Sequence, residues 1–252
     1  MNISAKRIRA VVRKEFRDYR RNRFVIVTMA ILPVVFFITP AIGIFRITDS
    51  EPASVVRTQV GLTLLLLLVV AVIVPATIAA YSVVGEREQG TLEPVLTTPI
   101  RREEFLLGKA IAAIIPAAAI AYALFAAFVL SVRFGASHAV VTAVWQPSWF
   151  VAQLLFAPLL ASWSIWIGTA ISARATDVRA AQQLGTLASL PPLALTALMS
   201  FQVIHPGLTV AAVVAVVLAG IDVAAWRAVS AMFDRERLIT GARAGRGRLG
   251  QA

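Results

Sequence analysis

A chain of 252 residues that is 59% hydrophobic and only 15% charged, with a mean hydropathy of +0.80, is too apolar for a soluble domain, where roughly 45–50% apolar and about 25% charged residues are usual. It belongs in a membrane. The lack of cysteine excludes a disulfide framework, a thiolate metal site and a cysteine nucleophile, and the net charge of +11 is placed to orient a chain against anionic headgroups rather than to track nucleic acid.

Residues 1–23 carry Lys6, Arg7, Arg9, Arg13, Lys14, Arg17, Arg20, Arg21 and Arg23, while Ile8, Val12, Phe16 and Tyr19 recur at helical spacing. This is the pattern of a basic amphipathic helix lying in the membrane interface, its apolar stripe in the acyl boundary and its cations against phosphates. Six largely uncharged runs follow, each near the about 20 residues that a helix needs to cross a bilayer: 24–45, 59–84, 110–132, 149–172, 181–204 and 208–230. The expected fold is therefore all-α: a polytopic membrane protein with a six-helix transmembrane domain over 24–230 and a basic, Gly- and Arg-rich tail over 231–252 that lies near headgroups. The fifth run holds Gln182, Gln183 and the pair Pro191 and Pro192, and the sixth holds Asp222 near its far end, where snorkelling or pairing with a neighbouring cation is cheap. Gln153, Gln182 and Gln183 read best as hydrogen-bonding groups between helices. Prolines 33, 40, 75, 116, 158, 191 and 192 are potential kinks.

Six spans place both termini on one side. That side receives nine Lys and Arg from the N-terminal segment, four from 85–109, two from 172–181 and six from Arg227 onward, against Arg46, Arg57 and Arg133 on the other. The positive-inside rule then puts the termini and the 85–109 segment in the cytoplasm of a multi-pass protein of the cell inner or plasma membrane. Trp145, Trp149, Tyr81 and Trp226 fall where interfacial belts are expected. The outer connections, 46–58, 133–148 and 205–207, leave no room for an extracellular domain.

The segment 85–109, GEREQGTLEPVLTTPIRREEFLLGK, is a polar island with nine charges: Glu86, Arg87, Glu88, Glu93, Arg101, Arg102, Glu103, Glu104 and Lys109. It cannot cross lipid. Thr91 can N-cap a turn carrying Leu92 and Glu93, and Thr98 can cap a helix that starts at Pro99, which predicts two short helical pieces. Leu92, Val95 and Leu96 give the first piece an apolar edge that has to be buried.

This run of residues resembles the cytoplasmic segment after the second span in permeases of the ABC-2 family of ATP-binding cassette transporters. The resemblance implies that the island contains a coupling helix, seated in a cleft of a partner ATPase and passing its closure to the membrane helices. It implies two ATPase subunits, a second permease copy or close paralogue completing the pore, and export as the direction. Glu86, Arg87, Glu88, Gly90, Thr91, Leu92, Glu93 and Leu96 would form or brace the coupling contact, with Thr98 and Pro99 setting the turn back towards span three. The family also has an interfacial helix before its first span, comparable to residues 1–23.

Chemistry of its own is hard to find in the chain. A Walker A loop needs G-x-x-x-x-G-K-[ST], but Gly108 and Lys109 are followed by Ala110, and Glu103 stands where the first glycine belongs. No cofactor is therefore expected here: ATP and magnesium belong on a partner subunit, and the permease is not expected to be an enzyme. His138 and His205 are the two histidines, far from any ligand spacing, so no metal site is expected. Substrate-contacting residues do not emerge from uniformly apolar spans. A lining of Ala, Leu, Val, Ile, Phe and Trp suits an amphipathic, drug-like or lipid-like cargo better than a small ion, which needs fixed oxygen ligands. The competing reading is a self-sufficient secondary carrier or a membrane-embedded enzyme. It lacks support from an internal repeat or a midplane acid.

Overall fold

The computed structural model describes residues 3–88, 90, 100–204 and 207–232. Nine helices of seven or more residues carry these segments: α1 (Ala5–Arg21), α2 (Arg23–Phe45), α3 (Ala53–Ala80), α4 (Arg102–Gly135), α5 (His138–Val144), α6 (Pro147–Ser172), α7 (Val178–Ala188), α8 (Leu190–Ser200) and α9 (Leu208–Met232). With no water in a bilayer to satisfy backbone groups, helices meet every N–H and C=O internally. Among the described residues five segments are long and apolar enough to cross a membrane: Val25–Phe45, Ala53–Glu88, Glu103–Gly135, Pro147–Ser172 and Leu208–Ala231.

The fifth expected span differs. Residues 181–204 form no single crossing helix but the end-to-end pair α7 and α8, each 11 residues and so about 16 Å long. Prolines 191 and 192 are the cause, because neither has an N–H to donate to the preceding turn. The Ala188 carbonyl, which residue 192 would have met in a continuous helix, instead accepts the Trp163 indole N–H from α6 at 3.0 Å. The prolines at 33, 40, 75, 116 and 158 all lie inside unbroken helices.

α3 is the centre of the bundle. Its Val60, Val70, Ala71, Val74, Ala76 and Ala79 are fully shielded, with α2, α4, α6, α7 and α8 packed around it and α9 laid on α6. Polar residues stitch the contacts as expected: Gln153 Nε2 donates to the Leu64 carbonyl at 2.8 Å and Gln182 Nε2 reaches Thr77 Oγ1 at 3.4 Å, while Gln183 is exposed. Trp145 is half-exposed as a belt residue would be, but Trp149 is buried in the apolar cluster with Phe128 and Val132.

α1 forms where the basic amphipathic helix is expected and adds a contact of its own. Its Val11 packs on α4 where Gly108 leaves room, since a Cβ there would lie 2.6 Å from Val11. One edge of the amphipathic helix, Val11, Glu15 and Tyr19, thus faces protein rather than the acyl boundary.

Candidate functional site

Where the second span leaves its apolar run, the helix continues. It widens into one π turn at Tyr81–Gly85 and resumes over Glu86–Glu88, the elbow. A π turn interrupts the regular ladder of amide bonds, so its amides need other partners. Ser172, the last residue of α6, supplies them: its Oγ accepts from Val83 N at 3.2 Å and Val84 N at 3.1 Å and donates to the Ala80 carbonyl at 2.9 Å. The start of the elbow is built into the end of α6.

The three elbow side chains take three directions. Glu86 turns inward and is 8% exposed; its Oε1 accepts from Lys109 Nζ at 3.0 Å and from Lys14 Nζ. Lys109, buried at the start of the third span, also donates to Glu15 Oε1 at 3.0 Å and sits 4.9 Å over the Phe105 ring. Lys14 closes the network with Glu15 at 3.2 Å and Asp18 at 3.0 Å. Arg87 reaches sideways, its Nη2 donating to the Ala175 carbonyl in the α6–α7 connection at 2.6 Å. Glu88 points outward and is exposed. Gly90, at φ +68°, ends the turn in a left-handed conformation that glycine adopts at no steric cost.

Burial alone would push the Glu15 carboxyl up, but the ammonium groups of Lys109 and Lys14 outweigh it and hold Glu15 below its ordinary value. For Lys14 burial works downward and is overcome by Glu15 and Glu86, so this ammonium is held above its ordinary value. The Tyr19 hydroxyl is pushed well up by burial and by the neighbouring Glu15, Glu86 and Asp18. Carboxylate oxygens of Glu15, Asp18 and Glu86 lie within 4.8 Å of one another, a spacing that suits a cation. Two ammonium groups already sit among them, supplying the charge that a metal ion would bring.

A second clamp lies one turn earlier on α4. Glu104, fully buried, accepts from Ser4 N at 2.8 Å and Arg101 N at 3.1 Å and pairs with Arg7 at 3.1 Å. One carboxylate thereby satisfies backbone donors at the starts of both α1 and α4.

Of the residues expected at the coupling contact, Glu86, Arg87, Glu88 and Gly90 are placed as above, and Glu86 is committed to the chain's own interior. Thr91, Leu92, Glu93, Leu96, Thr98 and Pro99 lie outside the described residues, as does the short helix expected to carry Leu92 and Val95. Lys14, Glu15 and Lys109 hold Glu86, and Ser172 holds the π turn, although none of the four was expected at the coupling contact. One signal for them was present: Val11, Glu15 and Tyr19 stand at i, i+4 and i+8 on the stripe side of α1, and an acid there needs a buried cation.

Asp222 neither snorkels nor pairs. It lies mid-way along α9, is 7% exposed, and rests beside the Ser162 hydroxyl of α6 with no ion pair among the described residues.

Residues 9–201 match the family described as ABC-2 family transporter protein. The chain belongs to the ABC-2 family. Membership makes it a multi-pass membrane permease of ABC-2 type, a class that in general is not itself enzymatic and associates with an ABC ATPase subunit. No curated protein matches the chain. The matched region runs from α1 through α8 and thus includes the elbow and its network, whereas α9 lies beyond it.

Proposed function

We propose that this ABC-2 permease is the membrane half of an exporter in which the elbow receives the stroke of a separate ATPase. Both termini and the 85–109 segment are cytoplasmic, the broken pair α7 and α8 together making the remaining crossing; two ATPase subunits, each with its own ATP and magnesium, dock below two permease chains, identical or paralogous. The cargo is amphipathic, drug-like or lipid-like. The observation that carries this reading is the Glu86 node: one inward carboxylate ties the elbow to Lys109 on α4 and, through Lys14 and Glu15, to α1. A displacement of the elbow is felt at once by α1, α3 and α4, and through Arg87 by the α6–α7 connection. Glu88, exposed and facing away from this node, is left to meet a partner's basic groove together with Glu93.

Glu88→Lys and Glu93→Lys reverse charge at that contact and place like charges together, which costs several kcal/mol. Cells expressing the permease with its ATPase should lose at least about tenfold in ATP-dependent efflux of a lipophilic dye, while membrane insertion and ATP hydrolysis persist. Unchanged efflux in both variants overturns the docking assignment, and efflux from proteoliposomes without any ATPase overturns the whole reading in favour of a self-sufficient carrier.

A further inference from the structure

Between α6, α7 and α9 lies a slot of about 660 Å³, a size that accommodates a drug-sized or single-chain ligand. Its existence follows from two sequence features. α9 presents Ala224, Ala225 and Ala228 to it, small side chains that leave the space between helices unfilled, and the proline break after α7 ends that helix at Ala188, pinned to Trp163. Its walls include Ile167 and Ile171 of α6 and Leu184 of α7. Leu184 is 53% exposed, so the slot opens to the outside of the bundle.

One charged side chain borders this apolar slot. Arg174 sits at its elbow end, exposed and with no ion pair among the described residues. The acid in the same connection, Asp177, is already engaged: its Oδ1 accepts from Ala180 N at 2.8 Å, capping α7. An apolar trough with an uncommitted guanidinium at one end is complementary to a molecule with an acyl chain and an anionic headgroup. We propose that the slot binds an anionic phospholipid from the leaflet on the elbow side, its chain along Ala224 and Ala228 and its phosphate on Arg174. The neighbouring Ala175 carbonyl is held by Arg87, so the headgroup end of the slot is also where the elbow is fastened.

The test needs neither nucleotide nor ATPase, so its failure is separable from failure of the coupling reading. The full chain in nanodiscs is irradiated with diazirine-tailed phosphatidic acid or with the phosphatidylcholine bearing the same tails, and labelled peptides are counted. Phosphatidic acid should label the 221–229 region about fivefold more than phosphatidylcholine, the factor that about 1 kcal/mol per basic residue at a membrane surface corresponds to. Arg174→Glu should abolish that preference, and Ala224→Phe should reduce labelling of the slot by both lipids. Labelling of the outward face of α2, at Ile31, Val34 and Ile38 (50–56% exposed), serves as the insertion control and should be unchanged. Equal labelling by the two headgroups in the wild-type chain, or a preference that survives Arg174→Glu, overturns the proposal.

Discussion

The two ends of the bundle are held by different physics. At the elbow end, α1, α3 and α4 meet through Lys14, Glu15, Glu86 and Lys109, and through Glu104 with Arg7 and Ser4. At the opposite end Ile44, Val56, Leu64, Phe128, Val132 and Trp149 form a tight apolar cluster, and α5 folds over it, its Ala139 N donating to Asp49 at 2.9 Å. Apolar contact is non-directional and tolerates sliding. Buried charge is directional, and removing one partner strands the others. The far end is therefore held by buried area and volume, and the elbow end by specific partners in defined positions.

The strongest way to break this contrast is Lys109→Met, which leaves two buried carboxylates sharing Lys14. It should cost about 3–5 kcal/mol, read as a lowered melting temperature in detergent together with protease cleavage within α1. Phe128→Ala at the other end should cost a similar ~3–5 kcal/mol by leaving a cavity, yet leave α1 resistant to protease. If it frees α1 as well, the ends are not separable. Ser172→Ala is smaller, about 1–3 kcal/mol for unsatisfied buried amides, and should raise hydrogen exchange at Val83 and Val84 of the π turn more than within α3.

The smallest effect is with pH. Glu15, held below its ordinary 4.5, contributes stability that is complete above that value and is lost as pH falls through the depressed one. Lys14, held above its ordinary 10.5, contributes below that value and loses its contribution as pH rises through the raised one. Protease resistance of α1 should thus be flat from about pH 6 to 9 and decline in acid well before it declines in base, and Glu15→Gln should remove most of the acid decline.

Most of the span positions were legible because apolar runs are a one-dimensional signal: 149–172 and 208–230 lie within two residues of α6 and α9 at each end. Helix ends were less so. α3 begins at Ala53 rather than 59, and its continuation runs to Glu88, because Arg57 and the elbow charges are carried on helix that projects beyond the apolar run. A 36-residue helix is about 54 Å long, well over the about 30 Å of a hydrocarbon core. The division of 181–204 was signalled by the Pro191–Pro192 pair but not by proline as such, since α3, α4 and α6 run through single prolines; the pair, with Trp163 ready to take the Ala188 carbonyl, makes the break. At the site, charge density marked the elbow, whereas the partners of Glu86 come from residues 72 and 23 positions away, a pairing that composition and periodicity do not encode. Ser172 is still less visible, one hydroxyl among many, given meaning only by the π turn beside it.

That turn has a geometric consequence. A π turn accommodates one residue more than an α turn, and each residue of an α-helix advances the chain by about 100°. Were Tyr81–Gly85 to tighten into ordinary helix, Glu86 would swing roughly 100° about the axis, away from Lys109, with the membrane portion of α3 standing still. The hydroxyl of Ser172 thus works as a pawl, fixing the angle at which everything beyond the second span leaves the bundle.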